Sequence, residues 1–130
     1  MSDAPDTPTI SVVVPIYNDV ERVGDALDSI LSQTLTPSEI VVSDDASDDD
    51  VEQFVRDFAA RQATNVQIRY VRLESNSGDA AARNAGIAAS RGRWIAICDS
   101  DDIWAPTKLE RQASFIREWS GSQRIVLLGT

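Results

Sequence analysis

Short apolar runs that stop at a polar or acidic residue alternate along this chain with longer stretches of helical periodicity, and few folds accept that order. Residues 10–14 are mostly β-branched and are bounded by Pro15; residues 40–43 end at Asp44, residues 94–98 end at Asp99, and residues 125–128 form a last run of the same kind. Residues 66–73 differ, because Val66, Ile68 and Tyr70 alternate with polar neighbours as in a half-exposed or edge strand. Between these runs lie the helical patterns. Val20, Val23, Leu27, Ile30 and Leu31 share one face of the first, where Asn18 and Glu21 have the spacing of a capping box. Val51, Phe54, Val55, Phe58 and Ala59 mark the second, with Ser47 as its expected N-cap and Asp48, Asp49 and Asp50 in its first turn, where acids suit the helix dipole. The third, residues 78–90, is rich in alanine and is expected to lie close against a sheet, with Gly92 as its stop. The fourth opens near Pro106 and sets Leu109, Gln112, Ile116 and Trp119 along one face. Strand and helix in regular alternation imply an α/β fold: a Rossmann-like, mostly parallel sheet with helices on both faces.

A chain of 130 residues provides one domain. Residues 1–9 read as a loose polar tail and residues 10–130 as the folded part. An apolar content of 42% supplies a core and excludes disorder despite the charge. Lys plus Arg number 12 against 21 Asp plus Glu, a net charge of −9 that opposes binding to a nucleic-acid backbone. No apolar run approaches the ~20 residues of a membrane-spanning helix. Histidine is absent, which removes Ser-His-Asp and Cys-His catalysis and His-ligated metals. Cys98 is the single cysteine, so there is no intrachain disulfide; it is expected in the core with Trp94 and Trp119. The first residues are acidic rather than basic and apolar, unlike a secretory signal, so a reducing cytoplasmic setting is expected.

Two of the strands end in acid, one at Asp44-Asp45 and one at Asp99-Ser100-Asp101-Asp102. In a parallel sheet all carboxyl ends share one edge, and ligands bind in the crevice outside it where the strand order reverses. If the first strand lies between these two, their ends stand roughly 10 Å apart, about the span of a nucleoside diphosphate. Carboxylates gathered there repel one another unless a cation neutralises them, and Lys108 is the only lysine. A divalent ion of the oxygen-loving kind, Mg²⁺ or Mn²⁺, is the natural neutraliser. The plainer readings are that Asp44 and Asp45 form a turn and that Asp102 caps one. Tyr17 has the ring to stack on a base, and Arg83, alone among alanines, has the fork to pair with phosphate. No Walker A motif and no Gly-x-Gly-x-x-Gly is present.

Taken together these motifs resemble the nucleotide-sugar-binding, N-terminal half of the family 2 inverting glycosyltransferases, which have the GT-A fold. Pro15-Ile16-Tyr17-Asn18, Ser29-Ile30-Leu31-Ser32-Gln33-Thr34, Asp44-Asp45-Ala46-Ser47, Asn76-Ser77-Gly78 leading to Ala82-Arg83-Asn84-Ala85-Gly86, and Asp99-Ser100-Asp101-Asp102 followed by Pro106, Lys108 and Leu109 are each similar to a family segment, in the family's order. Ala46 stands where the family usually has glycine. The resemblance implies that Pro15 and Tyr17 contact the base, commonly uracil, and that Asp45, with Asp44, accepts a hydrogen bond from it. It implies that Asn76 and Arg83 hold the nucleotide, that Asp99 reaches the ribose or the metal, and that Asp101, with Asp102 beside it, is a ligand of Mg²⁺ or Mn²⁺ on the two phosphates. The donor is then a nucleotide-diphosphate sugar, expected to be a UDP-sugar, and the partner a saccharide, lipid-linked or other hydroxyl acceptor attacking with inversion. The general base and acceptor site of such enzymes are expected beyond Thr130, so that residues 1–130 bind donor without turning over alone. Peripheral association of the longer protein with the inner face of the membrane, and self-association through an exposed sheet edge, are further expectations.

A receiver-type signalling module has similar length, alternation and Mg²⁺-binding acids. It needs acids after its first strand and a lysine after its fifth, whereas here the first strand ends in Pro-Ile-Tyr-Asn and Lys108 follows the fourth. A dinucleotide oxidoreductase lacks support without the glycine fingerprint. A nonenzymatic nucleotide-binding domain would share the same donor cleft.

Overall fold

The computed structural model describes residues 8–117 and 125–128. Most of the expected tail, Trp119 and Thr130 lie outside them. The elements run β1 (Ile10–Ile16), α1 (Val20–Leu31), β2 (Glu39–Asp44), α2 (Val51–Arg61), β3 (Gln67–Arg72), α3 (Asp79–Ala89), β4 (Trp94–Ile97), α4 (Lys108–Arg117) and β5 (Ile125–Leu128). The sheet has the order β3-β2-β1-β4-β5, and every neighbouring pair is parallel. β1 therefore lies between the two acid-ended strands, and the order reverses beside it.

Strand alternation divides the core in two. Val12 and Val14 of β1 and Ile40 and Val42 of β2 pack with Val23, Leu27 and Ile30 of α1, with Val55 and Phe58 of α2, and with Leu109 and Ile116 of α4. Val13, Val41, Ile95 and Ile97 turn to the other face, where Ile87 and Ala89 of α3 cover them. β1 and β2 are buried at every position, as strands covered on both faces must be, whereas β3 is partly exposed throughout, the edge its polar alternation announced.

α3 lies close to the sheet because its residues are small. A Cβ at Gly86 would stand 2.4 Å from Cγ1 of Val13 and 3.2 Å from Cβ of Ser43, and the Ser43 hydroxyl donates to the Ala82 carbonyl at 2.6 Å. Gly92 is not the helix stop, since α3 ends at Ala89 with Ser90 as its C-cap; a Cβ at Gly92 would meet the backbone nitrogen of Ser11 at 2.7 Å, so close approach requires glycine there.

Two expected caps are also differently used. Asp19 and Asp50 hold the N-cap positions of α1 and α2, neither with a side-chain cap bond, and α2 begins after Asp48, Asp49 and Asp50. Asn18 and Ser47 instead join the two turns. The Asn18 N–H donates to the Ser47 hydroxyl at 2.8 Å, the Asn18 side-chain oxygen accepts the Asp48 N–H at 2.7 Å, and the Val20 N–H donates to Asp49 at 3.1 Å. Asn18 and Ala46 take φ of 49° and 59°, so Ala46 adopts the left-handed backbone for which glycine is the easy residue, at a cost of roughly 1 kcal/mol.

At the opposite end of the sheet Glu39 is buried and fully engaged. It accepts from the Ser11 hydroxyl at 2.8 Å, from Arg69 at 2.8 Å and from the Arg91 N–H at 2.7 Å. Burial pushes its carboxyl up, but the Arg91 N–H, Arg69 and Ser11 outweigh burial and hold it below the ordinary carboxylate value.

Candidate functional site

The carboxyl ends of β1, β2 and β4 open onto a cleft of about 520 Å³. β1 contributes Pro15 and Ile16 to its lining, followed by Tyr17; Asp45 follows β2; Asn76, Gly78, Asp79 and Arg83 come from the approach to α3 and its first turns; Asp99, Ser100 and Asp101 follow β4. Asp45 and Asp101, far apart in sequence, share one cleft. Of the residues expected there, Pro15, Tyr17, Asp45, Asn76, Arg83, Asp99 and Asp101 line it, and Asp44 and Asp102 do not.

The pleat separates Asp44 from Asp45. Asp44 is fully buried, and its carboxylate accepts from the Ser47 N–H at 3.0 Å and hydroxyl at 2.6 Å, from the Tyr70 hydroxyl at 2.5 Å and from Arg72 at 3.1 Å. A carboxylate has about four lone-pair sites, so none is left for a ligand. Burial and the bond to Asp44 push the Tyr70 hydroxyl up to about 12, which keeps it a donor. Asp45 faces the cleft. It accepts the Ser77 N–H at 2.7 Å on one oxygen, and the Gly78 N–H and Asn76 amide, both at 3.0 Å, on the other. It fastens the Asn76–Gly78 turn to the sheet and keeps one lone pair for an incoming donor. Gly78 takes φ of 101°, which lets its N–H turn toward that carboxylate.

Tyr17 is 47% exposed, its ring available to a planar ligand. The Arg83 guanidinium lies 3.0 Å from Asp79 and 3.8 Å from Asp99, and its buried Nε has no partner among the described residues. Burial, then Asp102, raises the Asp99 carboxyl above its usual value, with Arg83 opposing them. Asp101 is about half exposed and lies 3.6 Å from Arg22. The Asp102 N–H closes the turn that begins at Asp99, donating to the Asp99 carbonyl at 3.0 Å. Cys98 is buried just below; burial, then Asp102 and Asp99, push its thiol up to about 12. Trp104 is buried with Lys108 over its ring at 5.4 Å, away from the cleft.

Sequence reasoning missed Asp19 and Arg22. Asp19 accepts the Arg22 Nε–H at 2.7 Å and the Ser100 hydroxyl at 2.6 Å, linking the start of α1 to the Asp99–Asp101 turn. Their i, i+3 spacing at a helix start was the available signal.

Asp19, Asp45, Asp79, Asp99 and Asp101 face only Arg22 and Arg83, so the cleft is net negative and calls for a cation. Among the described residues no three metal-ligating side chains form a cage of their own. Asp99 and Asp101, about half exposed on one rim, do suit the Mg²⁺ or Mn²⁺ mode in which one or two carboxylates hold the ion and phosphate oxygens and water complete its shell.

The comparisons with known proteins agree with this geometry. The model of glycosyl transferase family 2 matches residues 11–121. The chain is 36% identical over 113 residues to the putative teichuronic acid biosynthesis glycosyltransferase TuaG of Bacillus subtilis, covering 87% of this chain and 44% of that protein. Residues 1–349 of S. aureus TarS, in a crystal structure with UDP, superpose with a TM-score of 0.74 at 32% identity, over 85% of this chain and 32% of that one. The mannosyltransferase PcManGT from Pyrobaculum calidifontis, in complex with GDP-Man and Mn²⁺, superposes with a TM-score of 0.74 at 28% identity, over 88% of this chain and 33% of that one. The chain thus spans less than half the length of these proteins. With the motifs, the strand order and the family match in agreement, this chain belongs to glycosyltransferase family 2, as the part of a GT-A fold that carries the cleft.

Proposed function

We propose that the cleft binds a nucleoside-diphosphate sugar, with UDP as the nucleotide, for transfer of the sugar to an acceptor hydroxyl with inversion. The observation that carries this reading is the convergence of Tyr17, Asp45, Arg83, Asp99 and Asp101 on one cleft at the point where the strand order reverses. The UDP held by TarS and the GDP-Man and Mn²⁺ held by PcManGT support it. In this reading Tyr17 and Pro15 flank the base, and the remaining lone pair of Asp45 accepts its N–H. Asn76 keeps Asp45 in place, Asp99 meets the ribose, and the Arg83 guanidinium, 40% exposed in its side chain, serves the nucleotide's phosphate side. Asp101, with Asp99, would hold a divalent ion, which when bound stabilises the charge of the departing nucleoside diphosphate. In the transfer, a bond forms from the acceptor oxygen to the anomeric carbon as the bond to the diphosphate oxygen breaks. We place the base that takes the acceptor proton, and the acceptor site, outside residues 1–130.

Calorimetry of the chain with UDP, GDP and dTDP, each with and without Mn²⁺, tests this. UDP is expected to bind best and to bind tighter with Mn²⁺, and Asp101→Ala is expected to remove most of the gain from the metal. Asp101 is half exposed, so the fold survives its loss. Equal binding by the wild type and the variant removes Asp101 from the site, and binding of none of the three nucleotides overturns the reading.

A further inference from the structure

The Asp19–Arg22 pair has no place in the roles given above, and its geometry is unusual for a helix start. An aspartate at an N-cap ordinarily turns its carboxylate onto its own helix; Asp19 makes no such bond. It is only 10% exposed in its side chain and spends one oxygen on the Arg22 Nε–H at 2.7 Å and the other on the Ser100 hydroxyl at 2.6 Å. Arg22 is thereby aimed across the cleft. One terminal nitrogen lies 3.6 Å from Asp101, and the other has no partner among the described residues.

A divalent ion of this class binds oxygen at about 2.0–2.2 Å, so phosphate oxygens on an ion held by Asp101 would lie roughly 3–4 Å from that carboxylate. The Arg22 nitrogen already stands at that distance. We propose that Arg22 is a built-in substitute cation: held by Asp19, it neutralises Asp101 in the absence of metal and presents its free nitrogen to the diphosphate, so that the donor nucleotide binds partly without the ion. The planar guanidinium suits this because one edge can stay on Asp19 while the rest of the fork serves a second anion. The same placement makes Arg22 a competitor of the metal for Asp101. The inference rests on the proposed nucleotide site and adds to it a residue that sets how strongly binding depends on metal.

The test is UDP affinity in EDTA and in saturating Mn²⁺, and Mn²⁺ affinity without nucleotide, for the wild type, Arg22→Gln and Arg22→Lys. Arg22 is 65% exposed in its side chain, so both variants keep the fold. In EDTA, Arg22→Gln is expected to bind UDP about fivefold more weakly, the upper end for a solvent-screened charge contact. In Mn²⁺ its affinity for UDP is expected to change by less than about twofold, since the ion then serves Asp101 and the phosphates. Mn²⁺ alone should bind Arg22→Gln more tightly than wild type, and Arg22→Lys, which keeps the charge but not the fork, should recover only part of the metal-free loss. An equal loss with and without Mn²⁺, no loss at all, or no recovery by lysine overturns the inference while leaving the nucleotide site standing. Failure of the wild type to bind UDP in either condition overturns the site and the inference together.

Discussion

Replacing Gly86 by alanine adds a single methyl group at the tightest contact between α3 and the sheet. That carbon would stand 2.4 Å from Cγ1 of Val13, a side chain with no exposure. Carbon atoms rest at about 3.5–4.0 Å, so something must retreat by more than about 1 Å. Val13 is β-branched and stiff, and it sits on the central strand between two neighbours, so it does not turn away cheaply. The remaining route is for α3 to lift off the sheet. Overpacking of this kind costs up to ~3 kcal/mol, and the higher helix propensity of alanine returns ~1 kcal/mol, leaving a net loss of about 2 kcal/mol. For a domain of this size that lowers the melting temperature by roughly 6–10 °C. Thermal and urea unfolding read the loss directly. Because α3 carries Arg83 into the cleft, nucleotide affinity should fall in the same variant. A Gly86→Ala protein as stable as wild type would refute the close packing of α3 on β1.

Two further outcomes follow from the same structure. Gly78→Ala meets no atom within 4 Å, yet it forces a side chain onto φ of 101°, so a loss of roughly 1–3 kcal/mol in urea unfolding is expected from backbone strain alone; an unchanged midpoint would contradict the Asp45-anchored turn. The Glu39 carboxyl is held below its ordinary value in the folded chain, so its stabilisation is complete above about pH 4.5 and is lost as the pH falls through the folded value. Glu39→Gln should therefore be less stable than wild type at neutral pH, with the gap narrowing below about pH 4.5 in pH-dependent unfolding; a gap independent of pH would remove the charge from the account.

The parallel sheet was legible because covered strands are continuous in Val and Ile, and the edge position of β3 because Ile68 and Tyr70 alternate with polar residues. The cleft was legible because parallel strands bring their acid ends to one rim. Which of two adjacent aspartates faces the cleft was not, since that depends on the phase of the pleat and on Tyr70 and Arg72 arriving from the next strand to occupy Asp44. Local capping rules failed at Asn18 and Ser47 for a related reason: each found a partner about thirty residues away that local spacing does not display. The Asp19–Arg22–Ser100 link spans 81 residues between Asp19 and Ser100 and is equally hidden from a local pattern.

The cross-ties from Asn18 and Val20 to Ser47, Asp48 and Asp49 make the two halves of the cleft mechanically unlike. On the side of Tyr17 and Asp45 the backbone is laced to itself through neighbouring turns, and a guest meets a fixed jaw. On the side of Asp99 and Asp101 the ties run through side chains, from Ser100 to Asp19 at 2.6 Å and from the arginines across 3.6–3.8 Å, with the carboxylates half open to water. Substitutions on that second side can thus retune what the cleft grips while the laced half keeps the same imprint.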